Sequence, residues 1–388
     1  MTNYTPYVFK LPSIDLYNEK DTDVKIASSI NQPLISLGFH SFIHRTKSAM
    51  DLTKKLETKN EFYYVVNPFE ITINDYKDDI ENITKKYFST ITVKQNHSFY
   101  IYWEILTMFN IANMQHMKIM GLDNGSISFS SIINYREKFY SINKDKIYLE
   151  KESKNDIDNI PKKLINIIKN NDKVDLIIAD CNIKWNNENY QEQEAYYTIF
   201  SEIIKSLKHQ AKNGNLVLKY FETFTMVSIK MLSILSSFYE EVYIYKPYFS
   251  RLTNSEKYII CQNFKSIDID VQIKYFEKIL ENMKTTQFVI DIFPEYILNK
   301  DLINIFKYIN ITSINTQQIM INQLIVYIKS NNYFGDEYHS YRDTQIKATK
   351  WWISTYFTEK KPYFVDLIKD TAQYNLSEIS LFINLLIH

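Results

Sequence analysis

Glycine is scarce in this chain, with five in 388 residues, beside eight prolines and two cysteines. No GxGxxG occurs among so few glycines, which excludes the phosphate-binding fingerprint of a nicotinamide-dependent Rossmann enzyme. The two cysteines, Cys181 and Cys261, stand far apart and in no metal-ligand spacing. A disulfide framework and a thiolate metal site are thereby excluded, and a reducing compartment fits. Net charge is also absent: Lys+Arg and Asp+Glu both total 45. A general electrostatic grip on nucleic acid is not advertised, which leaves only a local basic patch. No apolar run reaches the roughly 18 to 20 residues of a membrane span. The N-terminus lacks a basic segment followed by an apolar one, so no signal peptide is read. The expectation is a soluble, intracellular protein without a bound metal or a membrane contact.

What is abundant is aromatic: 31 Tyr and 24 Phe, with many Ile, Asn and Lys. This matches a bias toward A+T-rich codons and lowers the weight of any single Lys, Asn or Tyr. Three regions follow from the pattern. Residues 1–90 mix helix-like runs ("SAMDLTKKLETKNEF", "DDIENITKKYFS") with irregular connections and read as a mostly helical extension. Residues 91–265 alternate strand-like and helix-like runs, as in a parallel sheet covered by helices. Residues 266–388 read as a helical C-terminal region ("DVQIKYFEKILENM", "DTQIKATKWWISTYF", "LSEISLFINLLIH"). The fold class is therefore α/β, with helical extensions at both ends.

Within the middle region, "KVDLIIAD" (173–180) is a short apolar run ending in Asp, as a fully buried strand does. In "EAYYTIFSEIIKSLKHQAK" (194–212), Tyr197, Phe200, Ile203, Ile204 and Leu207 recur three or four apart, with Gly214 beyond as the C-terminal glycine. "NLVLKYF" is the next strand, "FTMVSIKMLSILSSFY" the next helix, then strands "EEVYIYKP" and "EKYIICQNF". The polar stretch 143–163 reads as an exposed connection.

One residue breaks this order. In "LVLKYFETFT" (216–225), Lys219 interrupts a dry strand near its end. A lysine there ordinarily snorkels, its stem packed and its ammonium in water. In an open α/β sheet, however, ligands bind at the carboxyl ends of parallel strands. Asp180 and Lys219 fall at such ends in consecutive strand–helix units, and Glu256 opens a further strand after the turn "KPYFSRLTNSEK" (246–257). The three are predicted to converge on one rim.

The surrounding words carry a resemblance. "DLIIADCN", "GNLVLKYFETFT" and "YKPYFSRLTNSEKYIICQNF" resemble the FtsJ-like ribose 2′-O-methyltransferases, in the branch of cap-modifying enzymes of eukaryotes and large DNA viruses. The motif match runs over about 175–264. With the weaker likenesses of "SFYIYWEIL" (98–106) and "QIKATKWWISTYF", the resemblance covers about half the chain. It implies a Rossmann-like sheet, S-adenosylmethionine as methyl donor, capped RNA as substrate, and a Lys-Asp-Lys-Glu tetrad at the ribose 2′-hydroxyl. Asp180, Lys219 and Glu256 match three members, with Lys219 implied as the base and Glu256 as the group orienting it. The chemistry is sound independently, since an alcohol attacking a sulfonium methyl needs a base within hydrogen-bond reach and an in-line approach.

The sequence departs from the family pattern in two places. Ile101 stands where the family has the first lysine, with Lys94 and Lys118 as spatial substitutes. The cofactor loop falls in "MGLDNGSISFSSIINYREKF" (120–139), which has Gly121 and Gly125 but no adjacent glycine pair. Gly121, Asp123, Gly125 and Asp180 are the cofactor-binding candidates, and "KDKIYLE" offers Asp145 or Glu150 as a ribose-binding acid. Lys246, Arg251 and Lys257 are the candidates for RNA phosphates. Trp351 and Trp352 read as core. Two readings stay open: an active RNA cap 2′-O-methyltransferase, or an inactive methyltransferase-fold subunit of a capping or transcription complex. Composition and family branch point to a large DNA virus, and so to host cytoplasm or a virion.

Overall fold

The computed structural model describes residues 4–15, 21–29, 44–45, 47–49, 65–70, 82, 84, 86–88, 97–122, 126–150, 162–265, 269–330 and 335–387. Most of the helix-like runs expected before residue 90 lie outside these. The sheet begins with β1 (Tyr7–Leu11), while β2 (Val24–Ala27) pairs elsewhere. A first long helix, α1 (His97–Phe109), precedes β3 (Lys118–Leu122), α2 (Ser126–Phe139), β4 (Lys146–Leu149), β5 (Ile165–Ile167) and β6 (Val174–Ala179). Then come α3 (Gln191–His209), β7 (Gln210–Tyr220), α4 (Met226–Phe238), β8 (Tyr239–Lys246) and β9 (Lys257–Phe264). The C-terminal part holds α5 (Asp270–Asn282), β10 (Phe288–Ile292), α6 (Lys300–Ser330), α7 (Asp336–Tyr356), α8 (Val365–Thr371) and α9 (Leu376–Ile387).

Eight strands form one sheet in the order β1-β8-β9-β7-β6-β3-β4-β5. Strands β3 to β7 run parallel, β9 is antiparallel to both β7 and β8, and β1 closes the edge antiparallel to β8. The expected Rossmann-like sheet is present. After β3 the chain steps outward through β4 and β5, then returns to β3's other side as β6. That reversal opens a crevice at the carboxyl ends of β3 and β6, the place where such sheets bind ligands.

The parallel strands are apolar on both faces because both faces are covered. On one face, Ile177, Ala179, Leu216 and Leu218 meet α3, α4, α5 and the first half of α6; on the other, Leu176, Ile178 and Val217 meet α1, α2 and α7. Helix α1 lies so deep that every residue from Phe99 to Phe109 is buried, which explains why it shows no polar face.

Four sequence expectations change. Tyr197 is exposed, and Tyr196 and Ile199 take its place on the buried stripe of α3. Gly214 is not a helix cap: α3 ends at His209 and β7 begins at once, with Gly214 inside it. Asn213 beside it takes a positive φ of 59°, where the pairing of β7 with β6 slips. The polar stretch 143–163 contains β4, whose Ile147, Tyr148 and Leu149 are buried in the sheet. Strands β1, β2 and β10 arise from the two regions read as helical, β1 extending the main sheet and β2 pairing with β10.

Candidate active site

Strand parity places the three candidate groups together. Side chains two apart share a face of a strand. Asp180 therefore follows Leu176 and Ile178, and Lys219 follows Val217, onto the face covered by α1. Ala179 pairs with Leu218, and Lys219 pairs with Tyr258, which sits two residues after Glu256. The result is an array in which Lys219 Nζ stands 3.2 Å from Asp180 Oδ1 and 3.7 Å from Glu256 Oε2. The side chains of Lys219, Asp180 and Glu256 are 19%, 8% and 21% exposed, at the rim but reachable. Tyr258 donates its hydroxyl to Glu256 Oε1 at 3.3 Å from below.

Electrostatics follow from that geometry. Burial acts to lower the Lys219 pKa, but Asp180 and Glu256 overcome it and hold the ammonium above its ordinary value. Burial raises the Asp180 carboxyl, and Glu256 adds to the rise against the pull of Lys219. At rest the site holds two acids around one protonated lysine.

The turn between β8 and β9 is built to present Glu256. Lys246 Nζ donates to Ser250 Oγ (3.2 Å), to the carbonyl (3.1 Å) and side-chain oxygen (3.1 Å) of Asn254, and to the Glu256 carbonyl (2.7 Å). Ser250 Oγ also donates to that carbonyl at 3.1 Å. Burial pushes the Lys246 pKa down to about 7. Lys257 is buried, its Nζ 3.4 Å from Thr223 Oγ1 and its pKa pushed down to about 8 by burial. Lys257 is thus turned inward, which corrects its assignment to RNA phosphates, while the half-buried Lys246 spends its ammonium on the turn itself. Arg251 donates through Nε to Glu70 Oε2 at 2.8 Å, and Glu70 Oε1 lies 2.6 Å from His97 Nε2. Burial acts to raise the Glu70 pKa, but His97 and Arg251 hold it well below the usual carboxylate range. Arg251 thereby ties the turn to the start of α1.

On the cofactor side, Gly121 is the last residue but one of β3, beside Ile178 of β6, near the mouth of the crevice. Asp123 and Gly125 lie outside the described residues, as does Lys94. Asp145 sits at the opposite end of β4, buried in a two-pronged pair with Arg136 at 2.7 and 2.8 Å. Glu150 follows β4 at the carboxyl rim, but its carboxylate meets Lys205 of α3 at 2.8 Å. Ile101 is buried among the apolar residues of α1's face. Lys118 is exposed at the amino-terminal end of β3, its backbone N–H bonded to Asp175, so it does not replace a lysine at 101.

Sequence reading passed over two residues of α1. Glu104, fully buried, accepts hydrogen bonds from the Tyr245 hydroxyl, from Tyr248 N (2.9 Å) and from Trp352 Nε1 (2.8 Å). It joins β8, the Glu256-bearing turn and α7, and burial raises its pKa to about 7. The signal was one acid inside a helix otherwise apolar on every side. Tyr102, also fully buried, faces Asp180. Trp352 is core, as read; Trp351 is half-buried in an aromatic cluster with Tyr4 and Tyr248.

Residues 105–264 match the family described as FtsJ-like methyltransferase. A cap-specific mRNA (nucleoside-2′-O-)-methyltransferase 1 of Trypanosoma cruzi is 34% identical over 95 residues, 24% of this chain and 26% of its own length. A cap-specific mRNA (nucleoside-2′-O-)-methyltransferase of Autographa californica nuclear polyhedrosis virus is 38% identical over 97 residues, 25% of this chain and 37% of its own. These matches thus span well under half of either relative. An uncharacterized protein of Acanthamoeba polyphaga mimivirus is 22% identical over 363 residues, 91% of both chains.

Proposed function

We propose that the protein, whose residues 105–264 match the FtsJ-like methyltransferase family, transfers a methyl group from S-adenosylmethionine to a ribose 2′-hydroxyl of RNA, at the mRNA cap. The observation that carries this reading is the meeting of Asp180, Lys219 and Glu256 on one face of the carboxyl rim. The names of the trypanosomal and baculoviral relatives support the cap as target.

The donor set suits the cofactor. Two carboxylates against one ammonium favour a cationic sulfonium, and Gly121 and Asp180 flank the crevice that would hold it. S-adenosylmethionine, when bound, supplies the electrophilic methyl. The ribose hydroxyl must lose its proton as its oxygen attacks. Lys219 rests as an ammonium and first gives that proton to water. A second cation bound at the rim disfavours the ammonium and so favours that loss. The amine then takes the hydroxyl proton, and Asp180 and Glu256 stabilise the ammonium that results.

One observation favours a second reading, an inactive subunit of a capping or transcription complex: the buried Ile101 supplies neither charge nor hydrogen bond where the resemblance places a lysine. The viral relatives support a virus source, and with it action in host cytoplasm or in a virion. The test is methyl transfer to capped RNA with mapping of the product. A 2′-O-methyl at the first or second transcribed nucleotide supports the enzyme; no transfer by folded protein, or transfer to a base, rejects it.

A further inference from the structure

Buried tyrosine hydroxyls normally find a partner. On the α1 face of the sheet, Tyr245 donates to Glu104, Tyr258 to Glu256, and Tyr100 shares a 3.3 Å contact with Thr84 Oγ1. Tyr102 departs from this pattern. It is fully buried, its ring meets Tyr258 edge-on at 5.6 Å, and its hydroxyl makes no hydrogen bond among the described residues. That hydroxyl is turned to the Asp180 carboxylate, near enough to favour its ionised form. Tyr135, whose hydroxyl is likewise buried and unbonded, faces Thr107 rather than an acid.

We propose that Tyr102 is a positioning residue of this site, its hydroxyl closing on the Asp180 carboxylate when substrate fills the rim; the inference rests on the methyl-transfer reading above. Asp180 is faced by Lys219 from β7, by Glu256 from the turn before β9, by Tyr258 from β9, by its neighbour Cys181 and by Tyr102 from α1. Burial and Glu256 drive Asp180 toward its protonated form, in which it loses its hold on Lys219. Ile101, the adjacent residue of the same helix, has no donor to offer. The Tyr102 hydroxyl is the donor that α1 does place there, and burial keeps it protonated. Closing on Asp180, it keeps the carboxylate ionised and turned toward the lysine.

The test compares wild type with Tyr102→Phe, which keeps the ring and removes one oxygen. The proposal expects kcat to fall about tenfold, the effect of one hydrogen bond to a charged group, with KM for RNA unchanged. It also expects the acid limb of the pH–rate profile to move to higher pH, because Asp180 without its donor protonates more readily. In an Asp180→Asn background the same substitution should cost nothing further. A tyrosine that only packs predicts an unchanged rate and pH profile with equal or greater thermal stability, and that result overturns the proposal, as does an undiminished loss in the Asp180→Asn background. If wild type transfers no methyl group, the methyl-transfer reading has failed instead. The Tyr102–Asp180 coupling is then read from thermal stability between pH 4 and 7, where a pH-independent difference between wild type and Tyr102→Phe rejects it.

Discussion

Lys219 Nζ lies 3.2 Å from Asp180 Oδ1 at the carboxyl ends of two adjacent parallel strands, both side chains on the α1-facing side of the sheet. The pairing is a consequence of register, and it places a cation between two acids that would otherwise repel. Lys219→Ala should therefore act twice. Methyl transfer should drop by about 10²- to 10⁴-fold, the range for a lost proton-transfer group. The variant should also melt lower than wild type at high pH, with the gap narrowing as pH falls and Asp180, whose carboxyl burial raises, takes up a proton; initial rates and melting curves across that range check this.

Glu256 depends on Lys246 for its place. Lys246→Met keeps the stem and deletes the ammonium, leaving four acceptors in the turn without their shared donor. We expect a destabilisation of about 1–3 kcal/mol. The fall in kcat should exceed that of Lys257→Met, whose ammonium holds no atom of Glu256. Chemical denaturation and steady-state kinetics of both variants test the ranking.

Glu104 gives stability a pH signature. Its folded pKa is about 7 against an ordinary 4.5, so between those values the folded chain keeps a proton that the unfolded chain releases. Stability from this group is full below the lower value and is lost as pH rises through the upper one. Glu104→Gln removes the slope. The stability of wild type relative to the variant should decline by about 3 kcal/mol from pH 4 to pH 8. Urea titrations across that range provide the check, and a flat difference contradicts the assignment.

Arg136 and Asp145 form a buried ion pair remote from the rim, with Arg136 also donating to the carbonyls of Ala112, Met114 and Gln115. Asp145→Ala should cost about 3–5 kcal/mol by stranding the guanidinium. Cofactor affinity should not change in protein that stays folded, which separates this acid from a ribose-binding role. Calorimetric titration at low temperature reads the second quantity.

Much of this was legible in the sequence because strand parity is local. "VDLIIAD" and "NLVLKYF" each show where a buried run ends in a polar residue, and the sheet then has little choice about where those residues meet. The direction of Lys246 and Lys257 was not legible. Both flank a polar turn and read as exposed, yet the turn folds back over Lys246 and β9 draws Lys257 under the segment 221–225. Asp145 and Glu150 were equally ambiguous, since only the start of β4 decides which acid lies at which end. Tyr102 was hidden for another reason: in a chain with 31 tyrosines, nothing local marks the one whose hydroxyl faces an acid.

The most direct measurement is transfer of a labelled methyl group from S-adenosylmethionine to capped RNA by wild type and Lys219→Ala, with the product mapped by nuclease digestion. The account predicts a 2′-O-methylated nucleotide next to the cap with wild type and none above background with the variant. Equal transfer by both, or none by a wild-type protein that is folded and binds the cofactor, would contradict it.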